Sequence, residues 1–378
     1  MLDNLFSSPY GSFGLHRLPL RKQEQLQAWD AADDYLLRHL AERESPALGS
    51  HIVICNDSFG ALAVALNRYS PTAISDSFLS QQATRENLLA NSIPETSVTL
   101  LDSLTPPKPG IDYLLIKIPK TLALLEYQLH MLRPLLQPHA KVIAAGMAKN
   151  MPPTAWKILG RLIGTTTPSL AVKKARLIFA EPDHSLILPA NPYPVRYRLE
   201  NSDWLITNHA NVFSRDSLDI GTRFLLQHLP ENPDYRDIID LGCGNGVVGM
   251  MLALRFPQAR VSFIDESFMA VASARESFHA AFGEQGQAQF ITGDGLNGVA
   301  ENSADCVVCN PPFHQQHAIG DHIAWQMFQQ SYRVLRPGGE LRIIGNRHLN
   351  YHLSLKKLFG RWESVAGNQK FVILKAVK

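Results

Sequence analysis

The chain reads the same way twice. Near residue 238 it runs IIDLGCGNGVVGMML, and near residue 52 it runs IVICNDSFGALAVAL. Both are a short apolar strand, a turn with glycine at the same offset (Gly246, Gly60) and then apolar residues at helical spacing. The next segments recur in the same order: FIDESF (263–268) with AISDSF (73–78), GDGLNG (293–298) with LDSLTPP (101–107), and ADCVVCNPPF (304–313) with IDYLLIKIPK (111–120). YRVLRPGGELRIIGNRHLN (332–350) then answers HMLRPLLQPHAKVIAAGMAKN (130–150), and each half closes on an apolar strand, 370–377 and 173–180. Repetition kept in order over this length means duplication, and it confines the fold to two copies of one domain.

Between the copies lies EPDHSLILPANPYPVRY (181–197), with prolines at 182, 189, 192 and 194. Proline removes a backbone donor and disfavours helix in the residue before it, so this stretch is a connection. The domains are expected at 1–185 and 186–378. Each alternates short apolar strands with amphipathic helices, the α/β pattern of an open parallel, Rossmann-like sheet covered on both faces. Such sheets bind ligands beyond the carboxyl ends of their strands, so chemistry is sought in the turns there.

Composition excludes several classes. The chain is 45% hydrophobic and 19% charged with a net charge of only +2, which fits a soluble protein with substantial cores. Four cysteines exclude a disulfide scaffold and suit a reducing, cytoplasmic setting. No apolar run approaches the ~18 residues of a membrane span, and the amino terminus is not built like a secretory signal.

In the second half, Asp240-Leu241-Gly242-Cys243-Gly244-Asn245-Gly246 follows a strand and opens a helix. Glycines there allow a tight turn and close approach of a ligand to the backbone. The acidic residue ahead of them and the G-x-G-x-G spacing point away from NAD and towards S-adenosylmethionine. Asp265, 25 positions after Asp240 at the end of the next strand, can accept both ribose hydroxyls of an adenosine, with Glu266 beside it. Asp294, with Gly295 next to it, follows the third strand and can accept from the adenine amino group.

Asn310-Pro311-Pro312-Phe313 follows the apolar run CVVC and resembles the Asn-Pro-Pro-aromatic motif of methyltransferases that act on exocyclic or amide nitrogen. An aromatic amine has its lone pair delocalised and is a poor nucleophile. The Asn310 side-chain oxygen and the Pro311 carbonyl can accept its N–H groups, fixing the nitrogen and offsetting the charge that develops on it. Phe313 can stack on the base. Here the chain is similar to the bacterial tandem-domain ribosomal RNA guanine-N2 methyltransferases, on DLGCGNGVVG, NPPFH (310–314), VFSRDSLDIGTRFLL (212–226) and the decayed first copy. The likeness covers essentially the whole chain and favours the large-subunit enzymes, with the small-subunit enzymes as neighbours. It implies tandem class I methyltransferase domains, the first degenerate, with S-adenosylmethionine as donor and guanine N2 of 23S ribosomal RNA as acceptor. It also implies that the segment containing Phe213 covers the cofactor pocket and that Asn310 borders it; no obligate protein partner is implied, and a monomer is the default expectation. Methylation of 16S RNA, of protein glutamine or of DNA adenine is the alternative, since related tetrads serve those reactions.

The first copy keeps one glycine in Cys55-Asn56-Asp57-Ser58-Phe59-Gly60, and its tetrad reads Ile116-Lys117-Ile118-Pro119, so neither cofactor binding nor catalysis is expected there. From Lys117 to Arg176 it holds ten basic residues and one acid, Glu126. Its acids gather instead around Glu24, Asp30, Asp33, Asp34, Glu42 and Glu44. Such segregation predicts a phosphate-backbone surface, with Lys141, Lys149, Lys157, Arg161, Lys173, Lys174 and Arg176 as the RNA contacts. Cys306 and Cys309 are spaced C-x-x-C, but within one strand they face opposite ways, and no metal site is expected. Arg347 and His348 follow a late strand and can face RNA.

Overall fold

The computed structural model describes residues 4–20, 24–283, 287–312 and 317–378. They divide into two compact units, Met1–Tyr193 and Pro194–Lys378. The first starts with a hairpin of β1 (Leu5–Ser8) and β2 (Gly11–Gly14), followed by α1 (Ala31–His39), β3 (Ile52–Cys55), α2 (Ala61–Ala65), β4 (Thr72–Ser75), α3 (Phe78–Ala90) and β5 (Thr99–Asp102). It continues with β6 (Ile111–Lys117), α4 (Leu122–Leu132), β7 (Leu136–Met147), α5 (Pro153–Leu162), β8 (Thr166–Pro168) and β9 (Ala175–Ala180). The second starts with a hairpin of β10 (Val195–Arg198) and β11 (Leu205–Asn208), then α6 (Ile220–Leu226), β12 (Asp237–Leu241), α7 (Val247–Arg255), β13 (Arg260–Asp265), α8 (Phe268–Phe282) and β14 (Ala288–Thr292). It ends with β15 (Ala304–Cys309), α9 (His317–Val334), β16 (Leu335–Asn346), α10 (Tyr351–Phe359), β17 (Glu363–Gly367) and β18 (Phe371–Val377).

Each unit holds a seven-stranded sheet, β5-β4-β3-β6-β7-β9-β8 in the first and β14-β13-β12-β15-β16-β18-β17 in the second. The orders are the same strand for strand. Neighbours pair in parallel until β9 and β18, which run antiparallel to β7 and β16. Helices cover both faces, so the central strands read as unbroken apolar runs; β3 is buried at every position. Cys306 lies in a core cluster with Ile238 and Val248, and Cys309 in another with Phe328 and Leu335, on opposite faces. Among the described residues no cluster suited to a metal ion is present, and no helix is long and apolar enough to cross a membrane.

The order of strands reverses between β12 and β15, and between β3 and β6 in the first unit. A crevice opens beyond the strand ends at such a point. In the first unit its own side chains occupy that place. Pairing sets Cys55 against Ile116 and Leu241 against Cys309, so Lys117 is the counterpart of Asn310. This corrects the direct reading of the two sequences, which set Ile116 there; hydrogen-bond register, not residue likeness, fixes the match. Lys117 Nζ donates to Asp33 Oδ1 at 2.5 Å and to Asp30 Oδ1 at 2.9 Å. Asn56 and Gln128 exchange amide hydrogen bonds of 2.9 and 3.0 Å, and Asn56 also donates to the Lys117 carbonyl. Asp57 accepts from the backbone N–H of Leu62 and Ala63 at the head of α2, and its buried carboxyl is pushed up to about 7 by desolvation and by Asp33.

Lys117→Met should cost about 3 kcal/mol in denaturant unfolding of the full chain, because it leaves buried Asp33 without its cation. Adding Asp33→Asn should recover most of that loss. A Lys117→Met protein as stable as the wild type would contradict the pairing.

Folding also redistributes the charge that the linear sequence segregates. Helix α1 packs its buried Leu36 and Leu37 into the same core as Ala175 and Leu177 of β9, and this brings acids onto bases. Asp34 pairs with Lys173 at 3.2 Å, Glu44 reaches Lys141 at 4.0 Å, and Glu126 pairs with Arg161. Arg133 donates to the Asp183 carbonyl. Lys149, Lys157 and Lys174 are exposed and make no ion pair among the described residues. The Arg176 guanidinium sits 6.0 Å over the Trp156 ring, which packs partly into the core.

Candidate active site at the carboxyl ends of the second sheet

The site is built where β12, β13, β14, β15 and β16 end. At the head of α7, Gly242, Gly244 and Gly246 all have positive φ, at 74°, 53° and 86°. Gly246 has no substitute, because a Cβ there would stand 2.8 Å from the Ala274 Cβ. Around Gly244 the space a Cβ would fill is open, which exposes its backbone to a ligand. Asp240 lies beneath the turn, 3% exposed, and accepts from the Gly249 N–H at 2.7 Å. Desolvation, with Asp265 nearby, pushes its carboxyl up to about 7. Burial holds the Cys243 thiol well above its ordinary range, so it stays protonated and contributes main chain to the turn.

Asp265, at the end of β13, accepts from Gly244 N and Ser267 N, each at 3.0 Å. Desolvation raises its carboxyl above the usual carboxylate range. The Glu266 N–H bonds to it as well, and the carboxylate keeps lone-pair capacity for a further donor such as a hydroxyl. Glu266 beside it is exposed. Asp294 accepts from Gln326 Nε2 at 3.1 Å and from Asn297 Nδ2 at 2.5 Å. Gln330 of α9 holds the same turn through Leu296 N, and a Cβ on Gly295 would strike the Gln330 amide. Asn245 donates to Asn208 Oδ1 at 2.9 Å and to the Tyr197 hydroxyl at 3.3 Å, tying the glycine turn to the β10–β11 hairpin. Sequence reasoning missed Tyr197, Asn208, Gln326 and Gln330. They are ordinary polar residues far from any motif, and only the fold brings them in.

Beyond β15, Pro311 is buried and Pro312 exposed, and Phe313 and His314 lie outside the described residues. Phe213 is 54% exposed in the segment before α6. Asp219 caps that helix by accepting from Thr222 N at 2.8 Å. The cap also places the Thr222 hydroxyl, which accepts from Asn310 Nδ2 at 3.1 Å and donates to Asp219 Oδ2 at 3.3 Å. The chain of bonds fixes the amide. Its nitrogen is engaged, and its buried Oδ1 has no partner among the described residues. A buried acceptor left unpaired is costly unless a donor arrives. The arrangement is an acceptor held ready beside a glycine turn and a buried carboxylate that can take a further donor.

A seven-stranded sheet in this order, with these turns after its strands, defines a class I methyltransferase domain, here in tandem with a decayed copy of itself. Residues 3–184 match the family described as the RLMG N-terminal domain, and residues 203–375 the methyltransferase small domain. The chain is 50% identical over 382 residues to ribosomal RNA large subunit methyltransferase G of Streptomyces avermitilis, covering 100% of both. It is 51% identical to the protein of that name in Ectopseudomonas mendocina over 99% of this chain and 100% of the other. It therefore belongs to the ribosomal RNA large subunit methyltransferase G family. Among solved structures, a Thermus thermophilus 16S rRNA N2 methyltransferase in complex with AdoMet and guanosine shares the fold. Its TM-score is 0.77 at 19% identity, over 99% of this chain and 97% of that one.

Proposed function

We infer that the second domain methylates N2 of a guanine in 23S ribosomal RNA, with S-adenosylmethionine as donor. The observation that carries this is the Asn310 amide, oriented by Thr222 and presenting a buried, unpaired Oδ1 at the switch point of the sheet. The open backbone at Gly244 and the diol-accepting Asp265 suit an adenosine, and Asp294 suits its amino group. Gly242, Cys243, Asn245 and Gly246 shape that turn, Asp240 holds it from below, and Phe213 lies on the segment leading to α6.

When bound, S-adenosylmethionine supplies an electrophilic methyl whose sulfur keeps the electron pair of the broken bond as a neutral thioether. Asn310 Oδ1 accepts one N–H of the guanine amine and the Pro311 carbonyl the other. That draws density onto nitrogen, holds its lone pair towards the methyl and stabilises the positive charge that forms before the amine sheds a proton to water. Pro312 stiffens the turn, and Phe313 stacks on a base drawn out of the RNA.

Thr222→Val should lower the single-turnover rate about tenfold with unchanged cofactor affinity, and Thr222→Ser should restore it. Equal rates for Thr222→Val and the wild type would show that the amide needs no such anchor.

The first domain holds the RNA, through exposed Lys149, Lys157 and Lys174 and through Arg176 beside Trp156, with Lys141, Arg161 and Lys173 contributing after exchange of their internal partners. Binding should weaken steeply with salt. The enzyme works as a single chain in the cytoplasm, in keeping with four buried, unpaired cysteines. Mass mapping of ribosomal RNA from a deletion strain tests the reading: one N2-methylguanine should vanish from 23S RNA and return with the gene. Loss from 16S RNA alone, or from neither, would contradict it.

A further inference from the structure

Asn346 ends β16, the strand next to β15, and its Oδ1, like that of Asn310, is buried with no partner among the described residues. Cys309 is aligned with Ile343, so Asn310 and Asn346 lie one and three residues past a matched pair. Side chains alternate along a strand. Val308 and Ile344 belong to one core cluster and Cys309 and Ile343 to the other, which places both asparagines on the Val308 and Ile344 face.

The first turn of α6 covers that face. Thr222 takes the Asn310 amide, and a Cβ on Gly221 would stand 3.3 Å from the ring of Phe371, the cross-strand neighbour of Asn346. In the first unit Ile116 is aligned with Ala144, so the counterparts of the two asparagines are Lys117 and Met147. Both acceptors are absent from the copy that lacks the glycine turn.

We propose that Asn346 Oδ1 is the second acceptor of the base pocket and takes the ring N1–H of guanine while Asn310 takes N2–H. This rests on the guanine-N2 reading above. Guanine offers two adjacent donors, N1–H and the amine. Adenine sets a lone pair at N1 beside its amine, which would face the Asn346 oxygen and leave both unpaired. Asn310 thus grips an amine, and Asn346 decides which base carries it. Sites that hydrogen-bond a substrate group reject analogues lacking that group far more strongly than apolar pockets reject a methylene.

The test uses the full chain and an RNA fragment with either guanine or 2-aminopurine at the target position. 2-Aminopurine keeps the 2-amino group but has a lone pair at N1. The wild type should favour guanine by at least about tenfold in kcat/KM. Asn346→Ala should lose about tenfold or more on guanine and stay within about threefold on 2-aminopurine, with cofactor affinity and thermal midpoint unchanged. Asn346→Met, which installs the side chain of the first copy, should behave alike. Equal losses on both bases, or a wild type indifferent to them, would overturn the proposal without touching the choice of N2. Methylation of the guanine fragment at another atom, or of neither fragment, would instead overturn the guanine-N2 reading and this proposal with it.

Discussion

Asn310→Ala should lower kcat by about 100-fold or more while cofactor affinity stays within about threefold. Among the described residues the side chain bonds to Thr222 and its oxygen has no partner, so the cost falls on the transition state rather than on the fold. Removing the amide takes away one of two acceptors on the amine, and with it the group that offsets charge on nitrogen. Asn310→Asp keeps an acceptor but removes the amide N–H that Thr222 receives, and an intermediate loss is expected. Single-turnover assays with saturating RNA, beside calorimetry of the cofactor, separate the two quantities. Normal turnover by Asn310→Ala would remove the catalytic role.

Asp265→Ala acts on the other half of the site. Cofactor affinity should fall about 10- to 100-fold, and the rate at saturating cofactor should change only a few-fold. Its carboxylate anchors Gly244 N, Ser267 N and Glu266 N and keeps capacity for a further donor, so both the turn and the proposed ribose contact should suffer. Asp265→Asn keeps one acceptor and should lose less. Calorimetry that finds unchanged affinity for Asp265→Ala would contradict the ribose assignment, and an equal drop in thermal midpoint for both variants would assign the residue to folding.

Much of this site is legible in the residues because motif chemistry is local. The G-x-G-x-G turn, the carboxylate after the second strand and the Asn-Pro-Pro corner each lie within a few residues of a strand end, and strand ends are where open parallel sheets place ligands. The duplicated order of apolar runs predicts two like sheets, and both have the same strand order. Charge was less legible. Asp30, Asp33 and Asp34 are more than 80 residues from the lysines they meet, so a sum along the chain exposed a basic surface that α1 partly neutralises.

The sequence by itself determined the duplication, the alternating α/β elements, the decay of the first turn and the place of the Asn-Pro-Pro corner, because each depends on residue type and short spacing. Only the tertiary structure decided which atoms are ready. Strand register matched Lys117 to Asn310, the cap at Asp219 brought Thr222 to the amide, and pairing of β15 with β16 put Asn346 on the same face of the sheet as Asn310. Those relations join residues as much as 88 positions apart. Nothing in linear spacing encodes them, because they follow from how a closed set of backbone hydrogen bonds aligns strands that are distant in the chain.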